Sequence, residues 1–159
     1  MLNPETKPKV FTRQQALLKA MSFCAYQERS QHELRNKIYE WGLHSTDVEN
    51  IISEMIENNF LNEERFALAY TLGKFRIKGW GKIKIKQGLK LKRVPEKLIQ
   101  KSLNQIEDDA YLKTLSDLLT KKSALVDEKN SYKRRYKLSQ YAASRGFESD
   151  LISDLLKNN

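Results

Sequence analysis

Apolar residues recur along this chain at spacings of three and four, the period of one face of an α-helix. Thr12 precedes the first such segment and has a side chain that suits a helix N-cap. Ser30 and Glu33 have the spacing of a capping box that opens a second helix, and Gly42 ends it. A third helix begins within residues 45–47. The apolar positions of these helices are Ala16, Leu17, Ala20, Met21, Cys24, Leu34, Ile38, Trp41, Val48, Ile51, Ile52, Met55 and Ile56.

The same order of signals continues to the end of the chain. Asn62 is placed to cap a fourth helix, and residues 79–81, Gly-Trp-Gly, predict a break after it. Pro95 suits the first position of a later helix. Asp108 or Asp109 begins the next segment, and Ser149 is predicted to cap the last helix.

Internal alignment predicts three repeats of one helical unit. Four positions of the first unit align with positions that lie 51 and 104 residues later in the sequence. The matched sets are Leu34, Ile38, Gly42 and Leu43; Ile85, Leu89, Arg93 and Val94; and Leu138, Ala142, Gly146 and Phe147. Val48, Leu98 and Leu151 are predicted to open the apolar face of each closing helix. The fold expected is all-α, an elongated, curved array of three tandem three-helix repeats over 12–60, 61–107 and 108–159, after a flexible leader over 1–11.

One local pattern favours a different structure. Residues 83–86 and 89–92 alternate apolar and basic side chains with period two, and Gln87-Gly88 lies between them, as in a β-hairpin. The helix is preferred because the repeat alignment places Ile85 and Leu89 on the same stripe as Leu34 and Ile38.

The chain has 159 residues and a net charge of +9, and this excess is local. Residues 1–64 hold 7 basic and 10 acidic side chains, whereas residues 65–95 hold 10 basic and no acidic ones. Residues 96–159 hold 12 basic and 10 acidic side chains. Ten unbalanced cations repel one another in the free protein. The concentration indicates a surface that meets polyphosphate or an acidic protein face, and a merely solvated surface is the alternative.

Several classes of function find no support in the sequence. No apolar run approaches the roughly 18 residues of a membrane span, and residues 1–15 lack the apolar stretch of a signal peptide. Cys24 is the one cysteine, so no internal disulfide forms and a cytoplasmic location is expected. Phosphate-binding loops, zinc helices and nucleophile elbows are absent, and no buried acid–base pair stands out. We expect no enzyme activity, no cofactor and no metal.

Parts of the first and second repeats carry a resemblance to a known family. In the first repeat they are residues 25–26, 29–34, 37–38 and 41–43. In the second they are residues 60–67 (FLNEERFA), 74–85 (KFRIKGWGKIKI) and Leu89. An acidic-Arg-Phe-Ala segment followed by basic residues and Gly-x-Gly is similar to the RecX family of recombinase regulators. The departures are Asn62-Glu63, where an Asp is usual, and Arg93, where Gly or Lys is common.

The resemblance implies a negative modulator of the RecA recombinase, active in homologous recombination, DNA repair and the SOS response. Such a protein would lie in the groove of the RecA–DNA filament and limit its growth, its ATP hydrolysis and strand exchange. The implied partners are the RecA filament and single- or double-stranded DNA through phosphate contacts, with no membrane. We expect a monomer.

The predicted binding residues are the central block and a second basic cluster. The central block is Lys74, Arg76, Lys78, Trp80, Lys82, Lys84, Lys86, Lys90, Lys92 and Arg93, and the second cluster is Lys133, Arg134 and Arg135. The cations could meet phosphates or acidic residues of the recombinase. Trp80 could stack on a base or plug the junction between repeats, with the plug slightly favoured. Arg65 is expected to pair with Glu63 or Glu64, with a binding role as the alternative. The tyrosines on helical stripes are expected in the core, and they are Tyr26, Tyr39, Tyr70, Tyr111 and Tyr141.

Two other functions stay open at this level. The first is a helical nucleic-acid-binding module that acts directly on DNA or RNA, although the basic block shows no cluster of base-reading side chains on one helix. The second is a hydrolase or transferase, which the missing motifs disfavour.

Overall fold

The computed structural model describes residues 10–157, and every regular element in that range is an α-helix. The all-α prediction is therefore confirmed for the described part of the chain. Its helices are α1 (Arg13–Tyr26), α2 (Gln31–Glu40), α3 (Ser45–Glu57), α4 (Glu63–Lys78), α5 (Lys82–Leu91), α6 (Glu96–Leu103), α7 (Asp108–Leu125), α8 (Ser131–Ser144) and α9 (Ser149–Lys157). None of them has the length and apolar content that crossing a membrane requires.

The predicted helix starts follow from local capping chemistry. The Thr12 side chain accepts the N–H of Gln15 while the Gln15 side chain accepts the N–H of Thr12, which completes a capping box. Ser30 and Glu33 form the second box in the same way. Asn62 accepts a backbone N–H from the first turn of α4 at 2.9 Å. These bonds satisfy N–H groups that a helix leaves without an internal partner.

Two of the predicted starts are wrong by one residue. Pro95 is the N-cap of α6 and not its first helical residue, since its φ of −60° and ψ of 142° are extended. Ser149 is the first residue of α9 and not the residue before it. One-residue errors of this kind are common at helix ends, where several polar residues compete for the cap position.

Residues 82–91 form helix α5 and not a β-hairpin with strands over 83–86 and 89–92. Ile85 and Leu89 are completely buried, one helical turn apart. Ile83 and Leu91, which share the apolar side of the period-two pattern, are both exposed. The helix therefore buries its apolar side chains at a spacing of four and leaves the alternating pattern without a structural role.

Backbone geometry confirms the three-helix repeat. Gly42, Arg93 and Gly146, the three aligned positions after the second helix of each repeat, have φ of 90°, 58° and 97°. Each ends its helix in the left-handed region and precedes a buried apolar residue. The aligned closing helices bury Val48, Ile99 and Ile152 at the same offsets of 51 and 104. The predicted matches Leu98 and Leu151 are thus one residue early, and both are only half-buried.

The chain divides into two compact units, and the boundary falls inside α4. The first unit contains the residues up to Ala67 together with Lys92–Val94. Its core comprises Ala16, Ala20, Cys24, Leu34, Ile38, Leu43, Val48, Ile51, Ile52, Met55 and Leu61. Burial raises the pKa of the Cys24 thiol to about 11, which suits the predicted role as a small core residue.

The predicted leader lies mostly outside the described residues. Of its described part, Phe11 donates its backbone N–H to the Trp41 carbonyl at 3.0 Å. The Phe11 and Trp41 rings meet edge to face at 6.4 Å between centroids. Phe11 is therefore attached to the first unit at the end of α2.

The second unit contains Leu68–Leu91 and Pro95–Asn159. A chain of aromatic rings runs through its core, with centroids 5.9 Å apart for Phe75 and Tyr111 and 5.2 Å apart for Tyr111 and Phe147. The Thr71 and Ser102 hydroxyls form a buried hydrogen bond of 2.8 Å. These contacts connect helices from both the second and the third repeat within one unit.

The prediction that the tyrosines belong to the core holds for only part of the set. Tyr111 is buried, as predicted. Tyr26 and Tyr39 are 83% and 45% exposed, so for them the prediction is wrong. Tyr70 and Tyr141 are half-buried. Helical spacing identifies a stripe, but it does not show how far a neighbouring helix extends over that stripe.

Candidate nucleic-acid and protein interface

Helix α5, which carries four of the central-block lysines, begins against groups of the third repeat. Gly81 donates its backbone N–H to the Arg145 carbonyl at 2.8 Å, and Ile83 donates to the Gly146 carbonyl at 3.0 Å. The Lys82 N–H donates to the Tyr111 hydroxyl at 2.8 Å. These three donors would otherwise be available to an anion at the helix N-terminus. With these donors already bonded, the cations of α5 are its main source of attraction for phosphate.

The two glycines of the Gly-Trp-Gly segment have different roles. Gly79 ends α4 with a φ of 67°, a left-handed conformation that side chains disfavour. Gly81 lies against the backbone of Gly146, and a Cβ there would come within 2.3 Å of that residue's carbonyl group. The sequence signal for a break is thus confirmed, and the second glycine also permits close packing.

Trp80 lies between α4 and α5 with its indole half-buried. The Lys74 and Lys84 ammonium nitrogens lie 4.8 Å and 4.6 Å from the centroid of its ring. Cations at these distances are attracted by the negative face of an aromatic ring. The structure therefore brings three of the predicted residues together, and a base that stacked on Trp80 would have to compete with the lysines.

Other cations of the central block have acidic or aromatic neighbours. Lys86 pairs with Glu96 at 2.9 Å, and its hydrogen bond is the main reason that the pKa of the Glu96 carboxyl is lowered. Lys92 pairs with Glu33 at 3.7 Å inside the first unit. Exposed pairs of this kind are weak and are screened by salt, so they do not prevent binding. Lys82 lies 4.9 Å from the Tyr111 ring centroid.

Four cations of the central block are exposed and form no ion pair with any described residue. They are Arg76, Lys78, Lys90 and Arg93. Arg93 belongs to the first unit with Lys92, whereas all the other predicted block residues belong to the second unit. The exposed cations are the ones a phosphate or carboxylate reaches without breaking an existing pair.

The structure also groups Arg76 and Lys78 with cations that the sequence did not single out. Lys121, Lys122 and Arg145 line the same open groove of about 620 Å³. Asp117 is the one acidic side chain among its described lining residues, and it pairs with Lys113 at 2.9 Å. The adjacent lysines at the end of α7 were a weak sequence signal, because only the fold places them beside α4.

In the second basic cluster, Arg134 forms hydrogen bonds within the protein, whereas its two neighbours are exposed. The Arg134 guanidinium donates to the Val126 carbonyl and to the Ser123 hydroxyl, both at 2.6 Å. It thereby joins the start of α8 to the end of α7. Lys133 and Arg135 are exposed.

Arg65 has a structural role at the start of α4. Its Nε donates to the Glu28 carboxylate at 2.9 Å, and its Nη1 donates to the Asn59 side-chain oxygen at 2.9 Å. The acidic partner in the structure is Glu28, 37 positions away in the sequence, whereas the sequence pointed to Glu63 or Glu64.

The described residues contain no group of three or more His, Cys, Asp or Glu side chains that could hold a metal ion.

Three family models match successive parts of the chain. They describe the first, second and third three-helix domains of RecX, and they match residues 16–55, 62–103 and 108–156. The predicted resemblance and the predicted tandem repeat are thereby confirmed.

Curated relatives carry the name Regulatory protein RecX. The protein from Haemophilus influenzae strain PittGG is 32% identical over 140 residues, which cover 87% of this chain and 91% of that protein. Its counterpart from strain KW20/Rd is 33% identical with the same coverage. Among solved structures, RecX from Lactobacillus salivarius superposes with a TM-score of 0.84 at 19% identity, covering 92% of this chain and 95% of that one. The structural match shows the shared fold, and the relatives are named as regulators and not as enzymes.

Proposed function

This chain belongs to the RecX family, and on that premise we propose that it is a negative regulator of the RecA recombinase in the cytoplasm. It binds in the groove of the RecA–DNA filament and limits filament growth, ATP hydrolysis and strand exchange. It does so without chemistry of its own, by occupying surface that the filament needs.

The observation that carries this proposal is the concentration of cations at the end of α4 and along α5. Residues 65–95 contain 10 basic and no acidic side chains, and Arg76, Lys78 and Lys90 are exposed within one compact unit. Such a surface is attracted to DNA phosphates and to carboxylates of a protein filament by the same Coulomb term. Both are offered by a filament of recombinase on DNA.

The test measures ATP hydrolysis by the host's recombinase on single-stranded DNA with this protein at substoichiometric amounts. We expect inhibition by the wild type and its loss in a variant with Arg76→Gln, Lys78→Gln and Lys90→Gln. The matched control replaces Lys97, Lys129 and Lys157, which are also exposed, by Gln and so removes the same charge elsewhere. Equal inhibition by both variants would contradict a role for the central block.

Salt dependence gives an independent measurement of the contact. If about five phosphates are neutralised, the slope of log K against log salt is about −3.5 to −4.5. The three central substitutions should reduce that slope by about two to three, while the control variant keeps it. A binding constant that does not change between ~50 and ~200 mM salt would exclude the electrostatic contact.

The alternative is a helical module that binds DNA or RNA without the recombinase. Equal affinity for naked duplex, together with no effect on ATP hydrolysis, would favour that function. Filament-dependent binding favours the regulator.

A further inference from the structure

The first unit contains a second basic surface, at the end of α1 and along α2. It is an open groove of about 570 Å³. Three of its lining residues are cations and three are aromatic: Lys19, Arg29 and Lys37, with Phe23, Tyr26 and Trp41. None of the described residues that line it is acidic. Residues 1–64 have more acidic than basic side chains, so this grouping of cations is not a consequence of local composition.

Tyr26 provides an exposed aromatic ring in this groove. It is the last residue of α1, and it is 83% exposed although its ring is large and apolar. An exposed ring of this size has no role in the core of the unit. Aromatic faces that lie open beside cations are typical of surfaces on which single-stranded bases stack.

Arg29 is held in place beside that ring. Its Nε donates to the Phe23 carbonyl at 3.0 Å, and its guanidinium carbon lies 3.7 Å from the centroid of the Phe23 ring. It also lies 5.8 Å from the Tyr26 ring centroid. A guanidinium fixed in this way offers a planar surface and a charge, both of which suit a nucleotide.

The two lysines add positive charge farther along the groove. The Lys19 ammonium lies 4.5 Å and 5.9 Å from the ring centroids of Phe11 and Trp41. Lys37 pairs with Glu40 at 3.3 Å, an exposed interaction that competes little with a phosphate. The groove thus offers both positive charge and an exposed aromatic ring, the two features that bind the phosphates and bases of a single strand.

We propose that this groove is a binding site for single-stranded nucleic acid, with one unpaired base on Tyr26 and the adjoining phosphates at Arg29 and Lys19. A duplex keeps its bases stacked and offers no free face to Tyr26. An acidic peptide would use the cations but would not need the open ring. The site lies in a different unit from Arg76, Lys78 and Lys90 and does not depend on the regulatory function proposed above.

The test measures binding of a fluorescent thymine oligonucleotide of about 20 residues by anisotropy, with no recombinase present. We expect Tyr26→Ala to weaken binding by about 5- to 150-fold, the range of one lost base–aromatic stack. Tyr26→Phe keeps the ring and should bind within about twofold of the wild type. Tyr132→Ala is the matched control, since Tyr132 is 79% exposed on α8, and it should leave binding unchanged.

A second measurement reports on the groove itself. The chain has 2 tryptophans, so Trp80→Phe leaves Trp41 as the one indole. The oligonucleotide should quench Trp41 fluorescence in that variant, and Tyr26→Ala should shift the quenching to higher concentrations. Trp41 emission that does not respond to bound oligonucleotide would contradict the proposed position.

Three results would overturn the site. The first is that Tyr26→Ala binds the oligonucleotide as tightly as the wild type. The second is that Tyr26→Phe loses as much affinity as Tyr26→Ala. The third is that Tyr26→Ala loses as much affinity for duplex as for single-stranded DNA. Displacement of the oligonucleotide by the same concentration of polyglutamate from the wild type and from Tyr26→Ala, with equal affinity of the two proteins for polyglutamate, would identify an acidic peptide as the ligand instead. Because the regulatory proposal is tested by ATP hydrolysis and by the central variant, either proposal can fail while the other stands.

Discussion

Gly81 and Gly146 lie backbone against backbone, so that a Cβ added to Gly81 would stand 2.3 Å from the Gly146 carbonyl carbon. The neighbouring hydrogen bond from the Gly81 N–H to the Arg145 carbonyl, 2.8 Å long, depends on this approach. The start of α5 is thereby joined to the turn between α8 and α9. Through this contact, backbone carbonyls of the third repeat accept hydrogen bonds from the first residues of α5 in the second repeat.

The first prediction concerns this contact. Gly81→Ala should lower the free energy of unfolding by about 1–3 kcal/mol or more, because a backbone cannot move aside as a flexible side chain does. Urea denaturation followed by circular dichroism measures the change. Gly73→Ala is the control, since Gly73 lies inside α4 with no atom within 4 Å of the added methyl group. It should raise stability by about 0.5–1 kcal/mol. Equal effects of the two substitutions would show that the packing at Gly81 is not tight.

Tyr111→Phe tests the polar part of the same junction. The Tyr111 hydroxyl accepts the Lys82 N–H at 2.8 Å and donates to the Glu148 carboxylate. Burial and the bond to Glu148 both raise the pKa of Tyr111, so the hydroxyl stays protonated at all ordinary pH values. Removing it leaves polar groups without partners and should cost about 1–3 kcal/mol in urea denaturation. Tyr136→Phe, at an exposed position, should change stability by less than about 0.5 kcal/mol.

Substitution of Arg93 should change binding and stability in opposite directions. It has a φ of 58°, whereas the aligned positions are Gly42 and Gly146. A left-handed conformation costs a side-chain residue about 1–2 kcal/mol, while glycine loses about 0.5–1 kcal/mol more in backbone entropy on folding. Arg93→Gly should therefore stabilise the protein by about 0.5–1 kcal/mol and weaken its binding to the filament. A parallel loss of stability and binding would show that Arg93 is held by contacts of its own.

Glu63 gives a prediction about pH. Its carboxylate accepts the Gln31 N–H, but burial is the largest influence and raises its pKa, with Glu33 acting in the same direction and Arg35 opposing it. A raised pKa in the folded state means that this residue's contribution is fully present below the unfolded pKa and is lost as pH rises through the folded one. Glu63→Gln keeps an oxygen acceptor and removes the charge. Its stability relative to the wild type should therefore increase from pH 4 to pH 7 in parallel urea titrations. A constant difference across that range would contradict the assignment.

The helices, their caps and the repeat were accessible from the sequence because each depends on residues within a few positions of one another. Ser30 with Glu33, and Ile85 with Leu89, are local pairs whose spacing specifies a helix before any tertiary contact forms. The aligned Gly42 and Gly146 likewise predicted where a helix must end. The concentration of charge in residues 65–95 was also visible directly, since charge needs no fold to be counted.

Only the tertiary structure decided which of those side chains are exposed to a binding partner. Trp80 has lysines beside its ring, Arg134 is bound to the Val126 carbonyl, and Tyr26 is exposed where its stripe predicted burial. Each outcome depends on groups brought together from distant positions, whose distances no local pattern encodes. Short-range propensity thus specified the helices of this chain, while packing and long-range hydrogen bonds determined which of their surfaces meet a partner.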